Sequence, residues 1–269
     1  MSNILIFIFG LAIGSFLNCV IYRLERVEKE PSSFKKELGS FVMGRSYCPH
    51  CQHLLSWQDL IPVFSFFILG GKCRYCGKRI SWQYPLVELA TGILFLLIFI
   101  YFNNFLVTGY WLPVTIFWLL VTSFLIIIFV YDFKHYIIPD KVIYPAIVIA
   151  FIYNLITGYR LPVTGYLLAA FAAAGFFLFI VLISRGKWMG VGDIKLAFLI
   201  GLLLGWPNTL LALFLAFLIG AIIGLGLIIL KKKTIKSELP FGPFLILGIY
   251  IAFFWGKEII NWYFGLFGI

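Results

Sequence analysis

The stretch LATGILFLLIFIYFNNFLVTGYWLPVTIFWLLVTSFLIIIFVY, from Leu89 to Tyr131, contains no charged residue. One helix crosses the hydrocarbon core with about 20 apolar residues, so this run is too long for a single crossing. Asn103-Asn104, Gly109 and Pro113 supply a break, because such residues favour turns over helix interiors. The reading is two spans, near 86–103 and 111–131. The same logic worked outward places a span at 4–22 before them and spans at about 141–157, 161–184, 193–205, 207–230 and 239–257 after them. The chain therefore reads as an all-α polytopic membrane protein with about eight transmembrane helices.

Composition agrees. Of 269 residues, 62% are hydrophobic and 12% charged, about half the charged share of a soluble domain. That excludes an ordinary water-soluble globule, and so high a hydrophobicity excludes disorder. The formal charge of +10 invites a nucleic-acid reading, but the Lys and Arg residues stand in the breaks between apolar runs rather than along a basic stripe. That placement is the positive-inside signal of a membrane protein, so no nucleic-acid partner is expected. Ile4–Tyr22 has no basic region before it and Arg23 and Arg26 after it, the reverse of a signal peptide. It reads as a permanent first span with the N-terminus outside. With eight spans, the run Lys231-Lys232-Lys233 with Lys236 falls on the cytoplasmic side, and Arg160 and Lys257 are the exceptions. The 193–205 segment is short for a crossing, and this charge bias is what favours one. Gly10 and Gly14 form a GxxxG pair, which lets a second helix approach closely.

The longest non-membrane piece runs from Arg23 to about Pro85 and is rich in Lys and Arg, hence cytoplasmic. It holds Cys48-Pro49-His50-Cys51 and Cys73-Arg74-Tyr75-Cys76. Two C-x-x-C pairs with 21 residues between them, one more than the usual range of about 15–20, have the pattern of two knuckles holding one Zn²⁺ in a closed tetrahedral site. Two disulfides are the alternative reading, which a reducing cytoplasm disfavours. His50 and His53 could substitute as ligands but read better as exposed loop residues. Cys19, inside the first span, reads as a packing residue. The expected architecture is thus a small cytoplasmic zinc-knuckle insertion between helices 1 and 2.

The chain has four aspartates: Asp59, Asp132, Asp140 and Asp193. Asp59 lies in the cytoplasmic loop and suggests no role. The other three stand at span ends that the topology brings to one membrane face, so two can converge. Ionisable groups are costly in membrane segments and are rarely ornamental there. Asp140, after Pro139, reads as a helix N-cap. Asp132 interrupts an apolar segment ending Phe129-Val130-Tyr131. Asp193 closes Met189-Gly190-Val191-Gly192-Asp193, where two glycines keep the backbone open beside a carboxylate. Paired carboxylates that share one proton act as base and acid together, the chemistry of aspartic proteolysis. The sequence offers no His/Cys/Glu set for a catalytic metal, and its three His suggest no nucleophilic triad.

These residues, in this order, closely resemble the type IV prepilin peptidases, or leader peptidase/N-methyltransferases. The likeness runs through Gly14-Ser15-Phe16-Leu17-Asn18, Ile21-Tyr22-Arg23, both cysteine pairs with Gly71-Lys72, Ile80-Ser81 and Tyr84-Pro85-Leu86-Val87-Glu88. It continues in Asp132 with Ile138-Pro139-Asp140, in Gly190-Val191-Gly192-Asp193-Ile194-Lys195 (the GxGD motif) and in Pro240-Phe241-Gly242-Pro243. The resemblance implies a bifunctional enzyme of the bacterial cytoplasmic (inner) membrane, serving type IV pilus assembly or protein secretion. It removes the leader of prepilins or pseudopilins at the cytoplasmic face and methylates the new N-terminus with S-adenosylmethionine. It assigns catalysis to Asp132 and Asp193, and structural Zn²⁺ to Cys48, Cys51, Cys73 and Cys76. Conventional methyltransferase signatures are absent, so the S-adenosylmethionine site stays unknown; Glu88 and Gly71 are only guesses.

The expected division is 1–22, first transmembrane helix; 23–85, cytoplasmic zinc-binding, methyltransferase-associated domain; and 86–269, membrane-embedded aspartic peptidase domain. Two alternatives stand beside this reading. One is a GxGD protease without methylation. The other is a non-enzymatic transporter or scaffold using its aspartates as an ion relay, which their common location at one face disfavours.

Overall fold

The computed structural model describes residues 2–29, 46–105, 111–157, 163–231 and 239–266. Gly109, Arg160, Lys232, Lys233 and Lys236, used above for breaks and topology, lie outside the described residues. Among the described residues all regular structure is helical, apart from two isolated β-bridges, Tyr47 with Leu54 and Lys72 with Arg79. The helices are α1 (Ser2–Lys29), α2 (Phe64–Ile68), α3 (Gln83–Phe105), α4 (Trp111–His135), α5 (Asp140–Thr157), α6 (Val163–Ser184), α7 (Val191–Leu204), α8 (Asn208–Ile229) and α9 (Gly242–Leu266). The chain divides into two compact units, Met1–Ile127 and Ile128–Ile269, with α4 running from one into the other.

Among the described residues seven helices are long and apolar enough to cross a membrane: α1, α3, α4, α5, α6, α8 and α9. This is an all-helical multispan protein, with a cluster of four of its five cysteines between helices α1 and α3. The expected eighth span is α7, which has 14 residues. At about 1.5 Å per residue it covers roughly 21 Å, short of the ~30 Å hydrocarbon core. The shortness has a physical basis, because α7 is enclosed rather than lipid-facing. Leu196, Ala197, Leu199, Ile200, Gly201, Leu202 and Leu203 are all buried, and α5, α6, α8 and α9 all pack on it. A helix lined by protein on its sides need not match the bilayer.

In the first unit α1 packs on α3 through the glycines picked out in the sequence. A Cβ at Gly10 would lie 2.8 Å from Gly92 Cα, and one at Gly14 would lie 2.7 Å from Glu88 Cα, so only glycine permits this approach. Asn18 Nδ2 donates to Tyr84 O at 3.1 Å, satisfying a buried amide at the start of α3.

In the second unit the enclosed α7 is the axis. Asn154 Nδ2, on α5, donates to Leu202 O at 2.8 Å, a polar tie between two apolar helices. Phe177, Phe217, Phe241 and Phe244 pack with ring centroids 4.9–6.3 Å apart, joining α6, α8 and the start of α9. The second unit is thus a bundle packed around α7, with Asp193 in the first turn of that helix.

Candidate active site

Asp132 lies inside α4, one turn before its end; the helix continues to His135, beyond the span limit read from the sequence. Its side chain is buried, and its Oδ2 accepts a hydrogen bond from the Gly242 N–H at 3.0 Å. Gly242 is the first residue of α9, where backbone N–H groups lack helical partners and suit an anion. A Cβ at Gly242 would stand 2.6 Å from that oxygen, so glycine is what lets the carboxylate reach the helix start.

Asp193 is the third residue of α7 and is also buried. Its Oδ2 accepts from the Gly190 N–H at 3.2 Å, and its own N–H donates to Gly190 O at 3.2 Å. That is the carboxylate half of a capping box, and it fixes the side chain at the helix entrance. Gly192 admits Ile138, whose Cβ would stand 3.0 Å from a Cβ there. Asp132 and Asp193 thus both stand buried in the second unit, one near the end of α4 and the other in the first turn of α7.

Asp140 stays outside this pair. It is the first residue of α5, is exposed, and forms an ion pair with Lys195 of α7. The Lys195 ammonium also sits 4.9 Å from the centre of the Tyr144 ring. Asp140 is thus the first helical residue rather than the expected N-cap: Pro139 O accepts from the Ile143 N–H at 3.1 Å, and the Asp140 carboxylate instead joins the entrances of α5 and α7.

In the first unit the Sγ atoms of Cys48, Cys51, Cys73 and Cys76 all lie within 4.8 Å of one another, a cluster that could hold a metal ion. Cys48 and Cys76 sulfurs are 3.9 Å apart. A tetrahedron with Zn–S of about 2.3 Å has edges of about 3.8 Å, so the cluster fits that donor set, and no disulfide joins these cysteines.

The two knuckles repeat one local fold. Cys48 N–H donates to His53 O and Gln52 N–H to Cys48 O; Cys73 N–H donates to Lys78 O and Gly77 N–H to Cys73 O. The fourth residue after each leading cysteine is left-handed, with φ of 56° at Gln52 and 68° at Gly77. Burial resists ionisation of Cys48, but N–H groups of Cys51 and His50 and the neighbouring thiols overcome it and bring the thiol down to about 7. At Cys76 the Lys78 N–H favours the thiolate, yet desolvation and the other three thiols prevail and push it up to about 11. The His53 ring lies tilted against Tyr75 with centroids 3.7 Å apart; His50 and His53 form no part of the four-sulfur cluster. Cys19 lies 3.5 Å from the Ser46 hydroxyl.

Two acidic residues have roles that sequence reasoning missed. Asp59 has a side chain only 3% exposed and accepts from Ser56 Oγ at 2.8 Å, Arg74 Nε at 2.8 Å and Tyr75 OH at 3.3 Å. It ties the 3₁₀ turn at Trp57–Leu60 to the second knuckle. Burial works against its charge, but Ser56 and Arg74 outweigh that and hold its carboxyl below the usual range. The S-x-x-D pattern at Ser56–Asp59 was the available signal. Glu88, on α3, is buried and accepts from Val63 N–H at 2.7 Å. Gly71 is left-handed and faces the Phe66 ring.

A buried carboxylate pair in a helical multispan unit, preceded by a four-cysteine module, defines the class: a polytopic membrane protein with an acidic site in its bundle. Residues 8–102 match the bacterial peptidase A24 N-terminal domain, and residues 119–225 match the type IV leader peptidase family. The chain is similar to the prepilin leader peptidase/N-methyltransferases of Aeromonas salmonicida (34% identity, 96% of this chain and 92% of the relative) and Legionella pneumophila (34%, 96% and 93%). It is also similar to that of Bacillus subtilis (33%, 96% and 96%). No solved structure matches. The chain belongs to the type IV leader peptidase family, the A24 peptidases of bacterial membranes.

Proposed function

We propose that this protein is a prepilin leader peptidase/N-methyltransferase that cuts type IV prepilins or pseudopilins at the cytoplasmic membrane face. Asp132 and Asp193 are its catalytic pair. The observation that carries this reading is their joint burial in one unit, each carboxylate held by a backbone N–H at a helix entrance. Like charges so placed resist double ionisation, so the pair holds one proton between them. The ionised member takes a proton from water as its oxygen attacks the scissile carbonyl. The protonated member then gives its proton to the amide nitrogen as the C–N bond breaks. The two N–H donors keep one oxygen of each carboxylate occupied, which orients the other toward the substrate.

A prepilin carries its basic leader just before an apolar helix, so its cleavage site lies where the bilayer meets the cytoplasm. An acidic pair at span ends meets it there. In this reading residues 1–22 are the first span, with the N-terminus outside. Residues 23–85 are a cytoplasmic zinc-binding, methyltransferase-associated domain, and 86–269 the peptidase domain. Cys48, Cys51, Cys73 and Cys76 would hold a structural Zn²⁺, whose binding supplies folding free energy to a small domain. S-adenosylmethionine, when bound, supplies the methyl group.

The test is mass spectrometry of a prepilin incubated with purified protein, with and without S-adenosylmethionine. Leader loss in both cases, and a gain of one methyl on the new N-terminus only with the cofactor, is expected. An uncut substrate would refute the peptidase reading. A cut but never methylated product would leave a GxGD protease alone.

A further inference from the structure

The segment between the two knuckles and the start of α3 carry an apolar face to which neither reaction described above assigns a role. Phe64, Phe67 and Ile68 on α2, with Trp82 and Leu86, are between 59% and 77% exposed. Patches of large apolar side chains facing water are rare and mark contact surfaces. This one is assembled: Trp82 packs on Phe66 and Phe67, with ring centroids 4.8 and 6.5 Å apart.

Its position along α3 says what covers it. The carboxylate that accepts Val63 N–H is that of Glu88, five residues into a candidate span that starts at Gln83. At about 1.5 Å per residue, Glu88 lies roughly 7–8 Å along the span. The hydrogen bond therefore holds the start of α2 beside the first turns of α3, not beyond them. Elements lying in the membrane interface sit about 5–10 Å into the headgroup and acyl boundary, the same depth. Val63 has a positive φ of 64°, a conformation costly for a β-branched residue; the Phe64 N–H closes that turn on Pro62 O at 2.6 Å, and the Glu88 bond anchors it to α3. Leu86 adds an exposed apolar side chain in the first turn of α3 itself. Tryptophan and tyrosine favour this interface, and Trp57, Trp82 and Tyr75 are all exposed. From Trp57 to Trp82 the one acid is Asp59, against Lys72, Arg74, Lys78 and Arg79, a balance suited to anionic headgroups.

We propose that α2 and the residues flanking it lie in the membrane interface beside α3, with Phe64, Phe67 and Ile68 seated in the acyl boundary of an anionic leaflet. The cysteine module is thereby moored to the bilayer surface rather than free in water. The geometry does not depend on the peptidase reading, and neither does its test.

The test uses the full-length protein in bilayer discs of mixed neutral and anionic lipid. Phe67→Trp adds one indole at the proposed depth, read as the difference from wild type. Expected is blue-shifted added emission, quenched several-fold more by lipid brominated just below the headgroup than by aqueous iodide. Replacing the anionic lipid with neutral lipid is expected to weaken that quenching. Iodide quenching without lipid quenching would overturn the proposal. Shielding from iodide that appears only when a prepilin is added would also overturn it, assigning the face to substrate. As a second variant, Phe64→Ser with Ile68→Ser is expected to keep its metal content while the segment becomes more accessible to protease.

Discussion

Gly242→Ala tests the carboxylate's seat without touching either aspartate. The added Cβ would stand 2.6 Å from Asp132 Oδ2 and 3.1 Å from its Cγ. Ordinary contact starts near 3.4 Å, so the carboxylate retreats by roughly 0.8 Å, and displacements of about 1 Å cost a reaction on the order of 100-fold. The Gly242 N–H bond at 3.0 Å is lost or stretched as well, and such bonds to charged groups contribute about 1.5–3 kcal/mol. At 1.36 kcal/mol per factor of ten, the lost bond alone corresponds to roughly 10- to 160-fold, a range that contains the ~100-fold fall in kcat expected from the displacement. The assay is the rate of prepilin cleavage by purified Gly242→Ala, with Gly226→Ala as control. Gly226, on α8, has nothing within 4 Å of its Cβ position, and its variant is expected to keep the wild-type rate. A Gly242→Ala enzyme that cuts at the wild-type rate, with its fold intact, would refute the claim that this helix start holds the catalytic carboxylate.

Elemental analysis of the purified protein is expected to give about one zinc per chain; Cys73→Ser should lower it, and a folded metal-free protein would count against the site. Gln52→Gly relieves a left-handed residue worth about 1–2 kcal/mol of strain at an entropic cost of roughly 0.5–1 kcal/mol. Metal retention against a chelator should therefore improve modestly, and a loss would contradict the reading of the knuckle turn. Asp59 has a lowered carboxyl pKa, so its stabilisation is present above the unfolded value of about 3.9 and fades as pH falls through the lower folded value. Asp59→Asn removes that contribution at neutral pH, and faster proteolysis of the cysteine module is the expected readout.

What the sequence could reveal follows from where each interaction is encoded. Spans are written locally, as runs of apolar residues, and the scarcity of charge made each remaining one locatable. Gly10 and Gly14 were legible because close helix packing needs small residues at a fixed spacing. The cysteine pairs were legible because metal ligands recur at short intervals. The shortness of α7 was legible but its crossing was not, since whether a short apolar helix crosses depends on what surrounds it, and that is a tertiary property. The Gly242 N–H donor to Asp132 is likewise hidden, because 110 residues separate the partners and a backbone N–H leaves no mark in sequence. The same holds for Glu88, whose carboxylate is taken by a loop backbone 25 residues away. Asp59 showed how a polar residue in a loop reads as solvated until the chain folds over it.

The central claim is that Asp132 and Asp193 cut the leader as a pair. The most direct measurement compares leader removal by Asp132→Asn, Asp193→Asn and wild type on one prepilin, with membrane insertion and zinc content checked for each. Neither variant is expected to cleave, and both should insert and bind metal as the wild type does. Normal processing by either one would contradict the account.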